Sequence, residues 1–172
     1  MHLHYRAWKQ ALADHGAKID FTWELFLSHA GRGTEYFVSL MNRQHGEKLH
    51  PAEVAETQDR LLLQFHHTVE PVLEVVHFAR QLALQRKPLA VASGGTRAAV
   101  TRTLEYIGVT DLFPVVVTID DVEHGKPAPD SFLEAARLLA VPATECLVLG
   151  DSVLDVEAAK AAGMAWVKLD PR

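Results

Sequence analysis

From about residue 71 onward the sequence alternates short apolar runs with helical stretches, and this limits the available folds more than any other feature. The runs are Pro88-Leu89-Ala90-Val91-Ala92, Val115-Val116-Val117, Leu147-Val148-Leu149 and Ala165-Trp166-Val167-Lys168. Helices are predicted between them over 71–85, 96–107, from Pro129 to Ala140, and over 153–162, where Gly163 stops the last. Strands that are apolar throughout, separated by helices, imply a parallel sheet covered on both faces. Such sheets bind ligands outside the carboxyl ends of their strands. Those ends are Ser93-Gly94-Gly95, the segment after Ile119, and Gly150-Asp151-Ser152.

The first 68 or so residues have a different rhythm, helical only. Leu3, Ala7, Trp8, Ala11 and Leu12 recur at helical spacing and Gly16 offers a stop. A second helix is predicted through Trp23, Leu25, Phe26 and Leu27 to near Gly31. A third carries Phe37, Val38, Leu40 and Met41 and ends at Gly46, and a fourth begins with Pro51 and reaches about His67. Four short helices on short loops make a small bundle. The expected organisation is a helical cap domain over 1–70 and an α/β core over 71–172.

A formal net charge of −5, without a basic run, leaves no electrostatic footprint for nucleic acid or anionic lipid. No stretch approaches the roughly 20 apolar residues of a membrane helix. The opening Met1-His2-Leu3-His4-Tyr5-Arg6 lacks the apolar stretch of a signal peptide. The single cysteine, Cys146, fits a reducing cytoplasm and is expected in the core. Ten histidines invite a zinc reading, but His2/His4 and His66/His67 do not share a helix face, and no zinc-ligand pattern occurs.

Each strand end carries a different chemistry. Ser93-Gly94-Gly95-Thr96 could hold a phosphate with its hydroxyl and glycine amides at a helix amino terminus, or could merely turn and cap. Lys126, between Gly125 and Pro127, is expected in an extended loop, because a residue before proline is pushed away from helix. There it is either a solvated lysine or a cation fixed to neutralise a phosphoryl group. Asp151 and Asp155, four apart and entering a helix, could share one hard cation such as Mg²⁺. The alternative is that Asp151 or Ser152 caps that helix and Asp155 sits in its exposed first turn. A hydroxyl, a fixed lysine and a carboxylate pair at the strand ends of one sheet together form a candidate phosphate–Mg²⁺ site.

The ordered set Ala92-Ser93-Gly94-Gly95, Gly125-Lys126-Pro127-Ala128-Pro129-Asp130 and Gly150-Asp151-Ser152 through Asp155 to Gly163 resembles motifs two to four of the haloacid dehalogenase superfamily. Leu3-His4-Tyr5-Arg6-Ala7-Trp8 and the helices behind it resemble the cap of its β-phosphoglucomutase-like branch, which includes sugar-phosphate phosphatases. The resemblance implies a Rossmann-like α/β fold with a four-helix cap, and a reaction through an aspartyl-phosphate. It implies that Ser93 and Gly94 bind phosphate, that Lys126 pairs with it and with the nucleophile, and that Asp151 binds Mg²⁺ with support from Asp155. His4 would orient substrate or the acid–base. The implied partner is a small phosphorylated metabolite, with no nucleic acid or membrane.

Two departures qualify that expectation. The family's first motif, Asp-x-Asp-Gly-Thr, is absent; Asp120-Asp121 is the only close pair. By the resemblance Met1 falls just downstream of the nucleophile, so an upstream start or a partial sequence is expected over a true pseudoenzyme, and residues 1–172 alone are expected to be inactive. The strand bearing that motif would lie between 88–92 and 146–150. The expected strand order is therefore 165–168, 146–150, slot, 88–92, 114–118, with the strands flanking the slot roughly 10 Å apart. In the cap, Thr34 falls where β-phosphoglucomutases carry an arginine for a distal phosphate, with Arg32 two residues earlier. A mutase needs two phosphate sites, so hydrolysis is expected, with β-phosphoglucomutase and a non-catalytic phosphate-binding protein as alternatives.

Overall fold

The computed structural model describes residues 2–29, 32–65 and 68–169. Gly31, expected to end the second helix, and His66 and His67 lie outside the described residues. Four helices come first: α1 (His2–Asp14), α2 (Trp23–His29), α3 (Thr34–His45) and α4 (Pro51–Gln64). Gly16 and Gly46 follow α1 and α3 in the left-handed region, at φ of 74° and 69°, where a Cβ would be strained. Pro51 is the first residue of α4, where its missing amide costs no hydrogen bond. The apolar faces of these helices close on one another around Trp8, Leu12, Phe21, Phe26, Phe37, Val38, Met41 and Val54. Trp8 meets Phe37 edge-on with ring centroids 4.5 Å apart.

The second half runs α5 (Leu73–Leu84), β1 (Ala90–Ala92), α6 (Arg97–Tyr106), β2 (Val115–Val117), α7 (Asp130–Leu139), β3 (Leu147–Gly150), α8 (Val153–Ala161) and β4 (Ala165–Lys168). It is an α/β fold with parallel strands. β1 pairs with β2 in the register Val91 to Val116, and β3 pairs with β4 in the register Val148 to Trp166. These are the pairings expected on either side of the slot, and the two two-stranded sheets are not hydrogen-bonded to each other. Ala7, Leu62 and Ala99 form a small buried cluster that joins α1 and α4 to α6.

Coverage on both faces does not hold for β3 and β4. Val148 is buried with Phe132, Ala158 and Ala159, beneath α7 and α8. Its neighbours Leu147 and Leu149 point the other way, because side chains alternate along a strand, and they are exposed, as are Trp166 and Val167. The accessible surface of 9785 Å² exceeds the roughly 8,400 Å² that a compact 19.0 kDa protein presents. Among the described residues, no helix is long and apolar enough to cross a membrane.

Candidate active site

The carboxyl ends of β1 and β3 are bridged by one side chain, Lys126. Its Nζ donates to the Ala92 carbonyl at the end of β1, at 2.8 Å, and to Asp155 Oδ1 at the start of α8, at 2.7 Å. It also lies 4.6 Å from the centroid of the Phe132 ring. Lys126 is only 6% exposed. The loop that places it is a turn and not the extended segment expected. The Lys126–Pro127 peptide is cis, and the Ala128 amide donates to the Gly125 carbonyl at 3.1 Å. Aversion to helix before proline left both conformations open, and turn closure settles it here.

Asp155 is buried, not exposed in a first turn. Its Oδ2 accepts from the Ser152 amide at 3.0 Å and from Ser152 Oγ at 2.7 Å, while its own amide donates to Ser152 Oγ at 3.0 Å. This reciprocal box caps α8 and points Oδ1 at Lys126. Burial pushes the Asp155 carboxyl up, but the Lys126 charge and the bonds from Lys126 and Ser152 outweigh it and hold the group below its ordinary value. Gly150 makes the arrangement possible: a Cβ there would lie 2.5 Å from Asp155 Cβ, well inside a carbon–carbon contact. Gly150→Ala is therefore expected to force Asp155 away from Lys126 and to cost about 1–3 kcal/mol in denaturant unfolding. A cost below about 0.5 kcal/mol would show that Asp155 has room to move.

The Ser93 turn closes on itself. The Gly95 amide donates to Ser93 Oγ at 3.1 Å, and the Ser93 amide donates to the Val117 carbonyl at 2.9 Å. The amino terminus of α6 behind it is partly taken, because Asp120 Oδ2 accepts from the Arg97 amide at 2.8 Å. Asp121 accepts from the Thr118 amide and hydroxyl and from the Arg97 guanidinium. The Arg97 and Thr118 bonds hold the Asp121 carboxyl down at about 2. Thr96 does not cap its own helix; its hydroxyl donates to Asp59 Oδ2 of α4 at 3.1 Å. Burial raises the Asp59 carboxyl, the Thr96 bond opposes this, and repulsion from Asp120 adds to it. Asp59, Asp120 and Asp121 were not among the residues expected at the site. The spacing of Thr118 and Asp121 is a capping signature that could have placed the second.

The other expected residues are spread more widely. Asp151 stands at the carboxyl end of β3, half-buried, with no side-chain hydrogen bond or ion pair among the described residues. It fits a hard cation as one oxygen donor. Asp155, as arranged, has its oxygens given to Lys126 and Ser152, and no group of three acidic, histidine or cysteine side chains among the described residues could hold a metal. His4 is exposed in the first turn of α1. Arg32, before α3, stacks on Tyr36 at 5.5 Å, with its Nε buried and unbonded. Cys146 is half-buried, and burial raises its thiol.

The profile of the haloacid dehalogenase-like hydrolases matches residues 1–163. The chain belongs to that family. The fructose-1-phosphate phosphatase YqaB of Escherichia coli (strain K12) is 32% identical to this hydrolase over 162 residues, 94% of this chain and 84% of the relative. A hydrolase of Pseudomonas syringae superposes with a TM-score of 0.87 at 24% identity, covering 97% of this chain and 76% of the other. The β-phosphoglucomutase of Clostridium difficile gives 0.80 at 19% identity, covering 97% and 77%. Both structures share the fold of this hydrolase.

Proposed function

We propose that this hydrolase is a Mg²⁺-dependent, cytoplasmic phosphatase of a small phosphorylated metabolite, most simply a sugar phosphate. The observation that carries the reading is the buried cation Lys126, held at the carboxyl ends of β1 and β3 beside the Ser93 turn. A buried ammonium fixed by one carboxylate and one carbonyl is oriented before any ligand arrives, so it can attract phosphoryl oxygens without reorganising. Ser93 Oγ and the Gly94 amide would hold the phosphate, and Asp155 would keep Lys126 in place. Asp151 would contribute an oxygen to Mg²⁺, which when bound supplies positive charge against the transferred phosphoryl group. The similarity to a fructose-1-phosphate phosphatase supports the substrate class. The helical segment α1–α4 would serve as the cap over the site.

The step itself needs a carboxylate that attacks phosphorus, expels the substrate alkoxide and is later freed by water. By the family resemblance that carboxylate belongs to an Asp-x-Asp-Gly-Thr segment, which residues 1–172 do not contain. Purified 1–172 is expected to release no phosphate from fructose 1-phosphate or β-glucose 1-phosphate. The same chain with an added amino-terminal strand ending in Asp-x-Asp-Gly-Thr is expected to release it with Mg²⁺, and to lose that activity on Asp151→Asn. β-Glucose 1-phosphate should give glucose and phosphate; glucose 6-phosphate as the main product would assign Arg32 to a second phosphate and make the protein a mutase. Turnover by 1–172 itself would overturn the account of the nucleophile. Failure of both forms would favour a non-catalytic phosphate binder.

A further inference from the structure

Three loops with no neighbours in common along the chain meet on one residue, Ile119, two on its side chain and one on its amide. It opens the 3₁₀ turn Ile119–Asp121 that follows β2. Its amide donates to the carbonyl of Gly95, two residues past Ser93, at 3.3 Å. Its side chain lies between two glycines. A Cβ on Gly33, just before α3, would meet Ile119 Cγ1 at 3.0 Å and Cδ1 at 3.2 Å. A Cβ on Gly125, just before Lys126, would meet Ile119 Cδ1 at 2.9 Å and the Gly33 amide nitrogen at 3.6 Å. Gly33 has φ of −60°, and Gly125 is not among the positive-φ glycines. Backbone freedom therefore does not demand glycine at either place; what a Cβ would meet at both is the Ile119 side chain, which would have to shift to admit it. The serine turn, the lysine turn and the amino end of α3 thus share one contact point.

We infer that Ile119 is a positioning residue that couples the seating of α1–α4 to the geometry of the Ser93 and Lys126 loops. With Gly33 seated, the side chain is confined between the two glycines, and its backbone bond fixes Gly95 while its Cδ1 sets how closely the lysine turn approaches. With Gly33 withdrawn, one wall of that seat is gone and both loops loosen together. The assignment of a working site to those loops rests on the phosphatase reading above, but the coupling does not. Asp59 and Thr96 supply a second tie between α4 and the amino end of α6, one that does not involve Ile119.

Hydrogen exchange followed by mass spectrometry on the 172-residue chain tests the coupling directly. Gly33→Ala is expected to speed exchange by about tenfold in segments 93–97 and 121–127, although the change lies before α3, and to leave α8 and β4 unchanged. Gly33→Ala combined with Ile119→Ala should bring 93–97 back towards the wild-type rate, because the clash with the new methyl is gone and the backbone bond to Gly95 remains, and should leave 121–127 fast because Cδ1 is gone. A purely local fault at position 33 would change neither core segment and would not be rescued by a change at 119; that result overturns the inference. Should Gly33→Ala raise exchange throughout the chain, Ile119→Val decides. Removing Cδ1 alone should loosen 33–36 and 121–127 together, and no change in either would also overturn it. Inorganic phosphate on the wild-type protein separates the two claims. Protection of 93–97 by phosphate supports the phosphate site, and its absence with the coupling intact removes that reading alone.

Discussion

Lys126→Met is expected to cost about 3–5 kcal/mol of folding stability, because it leaves the Asp155 carboxylate buried without its cation. Both side chains are almost wholly excluded from water, so solvent cannot replace the lost partner. The pH dependence makes the prediction sharper. In the wild type the Asp155 carboxyl titrates below its ordinary value, so its contribution is fully present above about pH 4 and is lost as pH falls through the lower folded value. In Lys126→Met the burial that now opposes ionisation is no longer outweighed by the ammonium, and the two bonds from Ser152 offset only part of it. The carboxyl then titrates above its ordinary value, and the variant loses stability as pH rises through that window. Denaturant unfolding between pH 3 and 7 should therefore show the largest gap between the two proteins near neutrality and a shrinking gap in acid. A gap below about 1 kcal/mol, or one that does not change with pH, would show that the pair does not hold the site together.

What the sequence revealed of this arrangement, and what it concealed, follows from range along the chain. Gly16, Gly46 and Gly163 stop helices where expected because a left-handed residue acts on its own turn, and Pro51 starts α4 for an equally local reason. The four strands follow from an apolar pattern confined to three to five residues each, and their pairing was expected only through the family resemblance. Lys126, Ser93, Asp151 and Asp155 were all visible as residues at strand ends. The bond between Lys126 and Asp155 was not, since it joins positions 29 apart and depends on how tightly α8 sits against β3, which Gly150 decides. The two carboxylates had read as a pair that could share a cation; the structure commits Asp155 to Lys126 and to capping α8. The contact between Thr96 and Asp59 was hidden for the same reason, being 37 residues apart and dependent on the docking of α4 against α6. Open faces were also invisible: Leu147, Leu149 and Val167 look like core residues because hydrophobic pattern records what can be buried, not what stands opposite.

Those open faces make the second large prediction. β1 has β2 on one edge and β3 has β4 on one edge, and the two pairs do not bond to each other. A strand with an unpaired edge and exposed apolar side chains accepts another strand readily, because each added bond satisfies a backbone group that otherwise relies on water. An amino-terminal extension of about five residues, apolar and β-branched before its Asp-x-Asp-Gly-Thr, is expected to enter between β1 and β3. Each large side chain it buries contributes about 1.5–3 kcal/mol, and each ordered residue costs about 1–2 kcal/mol, so at the centre of both ranges five such residues leave a net gain of roughly 4 kcal/mol. For a chain of this length that raises Tm by about 5–15 °C. Hydrogen exchange at Ala90–Ala92 and Leu147–Gly150 should slow in parallel, and an extension of the same composition in scrambled order should do neither. If Tm and exchange at β1 and β3 are the same with the ordered and scrambled extensions, the two sheets do not flank a strand site, and the strand order inferred from the sequence fails with it.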